Sequence, residues 1–126
     1  MRALIVDDSS FIREYLKELL GKMGMVCGEA VNGREALRVL REAESFDLML
    51  CDVNMPVMGG LECVRSLRQE KLQPEMRVMM VTTEADHSYI EDALEYGADE
   101  FLMKPFTPQI LREKIAMLGF ETLAGS

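Results

Sequence analysis

The apolar residues of this chain follow two patterns along its length: short continuous runs, and a spacing of three or four positions. Between the short apolar runs, apolar residues return every three or four positions, which predicts five amphipathic helices. Strands that alternate with helices through short links favour a parallel sheet with right-handed crossovers and helices on both faces. The predicted fold class is therefore α/β, with a doubly wound five-stranded sheet. The predicted strands cover residues 3–6, 25–31, 47–51, 77–81 and 100–103.

Capping residues mark several of the predicted helix ends. Ser9 or Ser10 is a candidate N-cap of the first helix, and Gly24 follows its last apolar position. Thr107 and Pro108 form an N-cap and first turn for the last helix.

Composition indicates one folded domain. The chain has 126 residues, of which 48% are hydrophobic and 29% charged, and no apolar run is long enough to cross a membrane. The formal net charge of -8 argues against nucleic-acid binding, which needs clustered Lys and Arg. Three cysteines without paired spacing predict free thiols rather than a disulfide or zinc framework. With no apparent signal peptide at the N-terminus, we expect a cytoplasmic protein.

Polar side chains follow the predicted strands at their carboxyl ends, where parallel sheets bind their ligands. Asp7 and Asp8 follow the first strand, Asp52 follows the third, Thr82 follows the fourth and Lys104 follows the fifth. Converging carboxylates repel one another unless a cation lies among them. Oxygen ligands without His or Cys suit a hard ion, so the pattern predicts a site for Mg²⁺ or Mn²⁺.

Lys104 and Thr82 extend this prediction from a metal to a phosphoryl group. An ammonium and a hydroxyl beside a metal-bound carboxylate are the groups that phosphoryl transfer requires. Asp52, held at the end of a rigid apolar strand, is then the candidate nucleophile.

Four motifs make this reading more specific: "IVDDS" (5–9), "DVNMPVMGG" (52–60), "VTTEAD" (81–86) and "GADEFLMKPF" (97–106). With their spacing, the chain resembles the receiver domain of the two-component response-regulator family, above all its single-domain chemotaxis-type members. The resemblance extends from Ala3 to about Leu118. It implies the flavodoxin-like strand order 2-1-3-4-5, a receiver domain over 1–120 and a short tail over 121–126.

The resemblance also implies roles for the carboxylates. Asp52 is expected to receive a phosphoryl group from a phosphohistidine of a sensor histidine kinase or phosphotransfer protein. Asp8, Asp52 and the backbone carbonyl of Asn54 are expected to bind Mg²⁺, with Asp7 holding a metal-bound water. Asn54 and Glu84 lie where the family tunes hydrolytic water, and their polar side chains predict a short-lived phosphorylated state.

The resemblance also implies a contact for Lys104, a conformational switch formed by Thr82 and Phe101, and backbone features at Pro105 and Gly59. Lys104 is expected to contact the phosphoryl oxygens, and Thr82 to move inward and donate its hydroxyl. Phe101 takes the place of the switch aromatic, and without a hydroxyl it must act through packing. The bond before Pro105 is expected to be cis. Gly59 stands where a short polar residue is usual, which predicts a weaker cap on the third helix.

Partners are expected at the surface of the fourth helix, fifth strand and fifth helix, either a downstream target or a second copy of the chain. The acidic residues of this region favour a basic partner, or self-pairing with Arg112 and Lys114. His87 is expected to be a solvated surface residue. The acidic set comprises Asp86, Glu91, Asp92, Glu95, Asp99 and Glu100.

Three other functions compete with this interpretation. A Mg²⁺-dependent phosphatase with an aspartate nucleophile needs a second carboxylate two residues later, where this chain has Asn54. A flavin-binding module needs donors after the first strand, where "DDSSF" begins with two anions. A receiver reduced to a binding surface would not need every site position filled. We therefore expect a signalling domain and no enzyme beyond self-catalysed turnover at Asp52, and the pattern leaves open whether it stands alone or belongs to a longer regulator.

Overall fold

The computed structural model describes residues 1–42, 45–83 and 88–120. In these residues, five strands and five helices alternate along the chain. The strands are β1 (Arg2–Val6), β2 (Val26–Ala30), β3 (Leu48–Asp52), β4 (Arg77–Thr83) and β5 (Glu100–Lys104). The helices are α1 (Ser10–Lys22), α2 (Gly33–Glu42), α3 (Gly60–Gln69), α4 (Ile90–Tyr96) and α5 (Pro108–Met117). Each predicted strand is found, with its bounds shifted by no more than two residues.

All strand pairs are parallel, in the order β2-β1-β3-β4-β5. The predicted fold class and strand order are therefore confirmed. The register pairs Val6 with Cys51 and Asp52 with Val81, so the ends of β1, β3 and β4 lie side by side. Because β1 and β3 are neighbours, the acidic residues that follow or end them meet at one edge of the sheet.

The core has two layers, one on each face of the sheet. Leu48 and Leu50 pack on one side with apolar residues of α1 and α5. Met49 and Cys51 pack on the other side with apolar residues of α2 and α3. Every residue of β3 is buried. A strand covered on both faces has no solvent side for polar residues, which explains the unbroken apolar run before Asp52.

The helix caps follow the sequence expectations. Ser9 accepts a hydrogen bond from the backbone N–H of Ile12 at 3.3 Å, and Thr107 accepts one from Ile110 at 3.1 Å. Gly59 is the N-cap of α3 and makes no side-chain hydrogen bond to its first turn, so the weaker cap on this helix stays a prediction.

The cysteines are free thiols, as predicted. Cys51 is fully buried, and hydrogen bonding with Cys63, together with burial, raises the pKa of the Cys51 thiol well above its ordinary value. A protonated, buried thiol is a packing group rather than a nucleophile. Among the described residues, no helix is long and apolar enough to cross a membrane.

Candidate functional site

Three carboxylates meet at the carboxyl edge of the sheet, and we call Asp7, Asp8 and Asp52 the acidic cluster. Each offers a carboxylate oxygen within 4.8 Å of the others. Asp7 and Asp52 are buried, whereas Asp8 is exposed to solvent. The adjacency of β1 and β3 produces this arrangement, so residues 44 positions apart in the sequence share one site.

Asp7 is fixed by its surroundings. One carboxylate oxygen accepts the backbone N–H of Ser9 at 2.9 Å, and the other accepts a hydrogen bond from Lys104 at 3.2 Å. Its own backbone N–H donates to the carbonyl of Ala30 at 3.1 Å, which continues the pairing with β2. These contacts leave the carboxylate little freedom to move.

Lys104 joins the acidic cluster from the end of β5. Its ammonium nitrogen lies 3.2 Å from Asp7 and 3.6 Å from Asp52, and its side chain is 19% exposed. The Lys104–Pro105 peptide bond is cis, the form that the family resemblance implies. Among the described residues, this is the one ammonium that forms an ion pair with the acidic cluster, so it balances one of three potential negative charges.

The excess of negative charge in the acidic cluster contributes to a raised pKa of Asp52. Burial raises the pKa of Asp52 from 3.8 to about 6, and the nearby carboxylates of Asp7 and Asp8 add to the rise. The ammonium of Lys104 and the backbone N–H of Asn54 oppose it. A group whose charged form is disfavoured gains from a nearby cation, so the all-oxygen donor set of the acidic cluster fits Mg²⁺ or Mn²⁺.

Gly60 brings the start of α3 close to β3, a role that the sequence alone did not reveal. A Cβ atom at Gly60 would lie 2.2 Å from the carbonyl oxygen of Asp52 and 2.8 Å from the methyl carbon of Met80. The N–H of Gly60 donates to the carbonyl of Val53 at 2.9 Å. Only glycine permits this approach, which fixes the backbone that carries Asp52.

A second contact was also missed. Arg13, in α1, donates a hydrogen bond to the backbone carbonyl of Asp7 at 2.7 Å. The acceptor is a main-chain atom and the donor lies six residues later, so no side-chain pattern indicates the pair.

Thr82 and Phe101 lie on the neighbouring strands β4 and β5, and Thr82 follows Val81, the residue that pairs with Asp52 in the sheet. Thr82 is fully buried, and its hydroxyl donates to the carbonyl of Thr83 at 3.2 Å. Phe101 is partly buried, and the ammonium nitrogen of Lys114 lies 4.5 Å from its ring centre.

The remaining predicted positions differ in what the structure describes of them. Asn54 is exposed, with its backbone N–H directed at Asp52. Glu84, His87 and the predicted tail over 121–126 lie outside the described residues.

The predicted acidic face is smaller than the sequence suggested. Glu91, Asp92 and Glu95 are exposed on α4. Asp99 instead lies at the opposite edge of the sheet, and Glu100 pairs with Lys114 at 3.1 Å. Asp86 lies outside the described residues. Because Lys114 already has a partner within the chain, self-pairing through it would first require that ion pair to open.

Comparison with known proteins gives a consistent family assignment. A family model described as response regulator receiver domain matches residues 3–116. A chemotaxis protein CheY homolog of Campylobacter jejuni is 41% identical over 116 residues, which cover 91% of this chain and 89% of that protein. Chemotaxis protein CheY of Pseudomonas aeruginosa is 39% identical over 126 residues, covering 99% of this chain and 100% of that protein.

Solved structures give the same assignment. The chemotaxis response regulator CheY4 of Vibrio cholerae superposes with a TM-score of 0.84 at 35% sequence identity, covering 93% of this chain and 97% of that chain. A response regulator receiver domain protein from Clostridium thermocellum superposes with a TM-score of 0.83 at 32% identity, covering 92% of this chain and 91% of that chain.

Proposed function

Because this chain belongs to the response regulator receiver family, it is a phosphoacceptor signalling domain of a two-component system, and we propose that Asp52 is the phosphoacceptor. One observation carries the proposal: Asp52 ends a fully buried strand, 3.6 Å from the ammonium of Lys104, inside the acidic cluster. We assign the receiver domain to residues 1–120 and a short tail to 121–126.

The transfer step uses groups that are already in place. A carboxylate oxygen of Asp52 attacks the phosphorus of a phosphohistidine on a sensor histidine kinase or phosphotransfer protein. The new O–P bond forms as the P–N bond breaks, and the electron pair returns to the histidine nitrogen. The pKa of Asp52, about 6, leaves the carboxylate ionised at neutral pH. Lys104 is placed to offset charge on the phosphoryl oxygens.

The same residues would hold a divalent cation. Asp8, Asp52 and the backbone carbonyl of Asn54 would be ligands of Mg²⁺ or Mn²⁺, and Asp7 would hold a metal-bound water. The bound ion would offset the negative charge shared by the carboxylates and the incoming phosphoryl group. The support is the donor set itself: three carboxylate groups, with oxygen atoms within 4.8 Å, at the mouth of the site.

The switch follows from contacts that only the phosphorylated state offers. The hydroxyl of Thr82 now donates to the carbonyl of Thr83, and it would exchange this acceptor for a phosphoryl oxygen. Phe101 would then repack into the space that Thr82 leaves. This differential contact energy would shift the surface of α4, β5 and α5, where a downstream target or a second copy would bind.

Loss of the phosphoryl group is assigned to the domain itself. Asn54, exposed beside Asp52, would orient the attacking water together with Glu84, which keeps the phosphorylated state short-lived. Replacing both Asn54 and Glu84 with leucine should lengthen the half-life of the phosphorylated protein in a decay assay followed by intact mass. An unchanged half-life would refute the role of these residues.

Intact mass after incubation with acetyl phosphate or phosphoramidate tests the proposal. The protein would be treated with Mg²⁺ or with EDTA, beside the Asp52→Asn variant. A gain of one phosphoryl group that needs both the metal and Asp52 is the expected result. No gain, in a protein that still binds Mg²⁺, would favour a receiver that acts only as a binding surface.

A further inference from the structure

Arg13 connects α1 with β2 and with the turn that carries the acidic cluster. Its side chain is 15% exposed, and one guanidinium nitrogen (Nη1) donates to the carbonyl of Asp7 at 2.7 Å. Its Nε donates to the carboxylate of Glu29, on β2, at 3.1 Å. The ammonium nitrogen of Lys17 lies 3.6 Å from the other oxygen of Glu29. Glu29 therefore holds the guanidinium of Arg13 through one nitrogen, while another nitrogen of the same group donates to the carbonyl of Asp7.

The carbonyl of Asp7 lies where the sheet no longer fixes the backbone. The pairing of β1 with β2 and with β3 ends at Val6. Only the N–H of Asp7 continues toward β2, through its bond to Ala30. The charge-assisted hydrogen bond from Arg13 thus fixes the orientation of the Asp7–Asp8 peptide, and with it the direction of the exposed Asp8 side chain.

We propose that Arg13 is a positioning residue for the acidic cluster: it holds the Asp7–Asp8 peptide so that the carboxylate of Asp8 faces Asp52, and it thereby raises the affinity of the site for a divalent cation. The inference rests on the metal site of the proposed function. Asp8 depends most on this contact, because Asp7 is held by Ser9 and Lys104 as well, and Asp52 by β3.

A positioning role and a purely electrostatic role of Arg13 predict opposite changes in Mg²⁺ affinity when the residue is replaced. A guanidinium beside the site repels a divalent cation, so a purely electrostatic role means that removing Arg13 tightens Mg²⁺ binding. If Arg13 positions Asp8, the same substitution weakens binding, because the second carboxylate no longer converges with Asp52. Residues that orient metal ligands typically contribute about tenfold or more to affinity.

Three variants separate the two roles when Mg²⁺ affinity is measured by isothermal titration calorimetry. Arg13→Met removes both the charge and the hydrogen bonds. Arg13→Lys keeps the charge, but its single ammonium lacks the planar fork that reaches Asp7 and Glu29 together. Lys17→Met is the matched control, because Lys17 has the same charge and contacts the same Glu29 but not Asp7.

The expected result is about tenfold weaker Mg²⁺ binding in Arg13→Met, an intermediate loss in Arg13→Lys, and wild-type or slightly tighter binding in Lys17→Met. Tighter or equal binding in Arg13→Met, with wild-type binding in Arg13→Lys, would overturn the positioning role. Circular dichroism establishes that each variant folds. If Arg13→Met does not fold, Arg13→Lys decides: weaker binding supports the proposal and equal binding overturns it.

The experiment also separates this inference from the proposed function. If the wild-type protein binds Mg²⁺ and Asp8→Asn abolishes the binding, the metal site stands and the Arg13 variants judge the inference alone. If the wild-type protein binds no Mg²⁺, the metal site of the proposed function is wrong and the role of Arg13 falls with it.

Discussion

Charged side chains cluster at both edges of the sheet, and the two clusters differ in how their charges are partnered. At the amino edge, Arg68, Arg77 and Asp99 form what we call the amino-edge cluster. Arg68 donates to the carbonyls of Met76 and Gly97, both at 3.1 Å, and to Asp99 at 3.3 Å. The same oxygen of Asp99 accepts the backbone N–H of Val78 at 2.8 Å.

At the carboxyl edge, the acidic cluster shares one ion-paired ammonium among three carboxylates, within the described residues. At the amino edge, Asp99 has two guanidinium partners, and Arg68 is also hydrogen-bonded to two main-chain carbonyls. Polar groups that are partnered in this way fix the structure. In a cluster with excess negative charge the carboxylates repel one another, and a bound cation reduces that repulsion. We therefore expect the amino edge to contribute stability and the carboxyl edge to bind a cation.

The largest effect on stability should come from Arg68→Met. The substitution removes three hydrogen bonds and leaves Asp99 with a weaker counter-ion, so we expect the free energy of unfolding to fall by about 2–3 kcal/mol. Chemical denaturation would measure the loss, and the rate of phosphorylation by acetyl phosphate should stay unchanged.

Arg77→Met is the matched control for that substitution. The guanidinium of Arg77 lies 3.7 Å from Asp99, and its side chain is 54% exposed. An exposed pair of this kind contributes at most about 0.5–1 kcal/mol. Equal losses in the two variants would contradict a structural role centred on Arg68.

Asp52→Asn should instead stabilise the metal-free protein, by about 2 kcal/mol at pH 7.5. The pKa of Asp52 is raised to about 6 in the folded protein, so the native state binds this proton more tightly than the unfolded chain does. The stability that the native state gains from the protonated carboxyl of Asp52 is fully present below pH ~4 and is lost as the pH rises through about 6. The advantage of the variant should therefore be largest above pH ~6 and shrink toward pH ~4, as measured by urea denaturation in EDTA. A pH-independent difference would contradict the charge argument.

Mg²⁺ should stabilise the protein through the carboxyl edge alone. At tenfold excess over its dissociation constant, the ion should raise the free energy of unfolding by about 1.4 kcal/mol. Thermal unfolding with and without Mg²⁺ would measure the shift, which Asp8→Asn should abolish and Arg68→Met should retain. A shift that survives in Asp8→Asn would place the ion elsewhere.

The smallest effect concerns backbone strain at Val57, in the loop between β3 and α3. Val57 has a φ of 70°, and the N–H of Met58 donates to the carbonyl of Pro56 across it, which forms a strained γ-turn. Asparagine tolerates this conformation better than a β-branched residue, so Val57→Asn should stabilise by about 0.5–1 kcal/mol in chemical denaturation.

Val26→Asn is the control for strain. Val26 is 69% exposed, close to the 74% of Val57, but it lies in the extended backbone of β2. There the substitution should destabilise, because valine favours strands and asparagine does not. Stabilisation at both positions would point to surface polarity rather than to backbone strain.

The fold could be predicted well from the sequence because each strand is a short apolar run that its own residues make recognisable. The apolar run before Asp52 exists because β3 is covered on both faces, and the capping residues Ser9 and Thr107 mark their helices by short-range hydrogen bonds. The convergence of Asp7 with Asp52 followed from one topological rule, that parallel strands end at the same edge.

The contacts that the sequence did not reveal use main-chain atoms or distant neighbours. Arg13 and Arg68 donate to carbonyl groups, which every residue carries, so no side-chain pattern distinguishes their partners. Asp99 directly precedes β5, so the same topological rule puts it at the amino edge, and grouping it with the acidic residues of α4 relied on adjacency along the chain alone. Gly60 is needed for a packing distance that only the folded chain defines.

The most direct test of the central claim is to locate the phosphoryl group. Borohydride reduces an acyl phosphate to an alcohol, so a phosphorylated aspartate becomes homoserine. Protein treated with acetyl phosphate and Mg²⁺ would be reduced, digested and mapped by tandem mass spectrometry. The account predicts homoserine at position 52 and nowhere else, with none in EDTA. Reduction at Asp7 or Asp8, or a phosphoryl group on another residue with Asp52 intact, would contradict it.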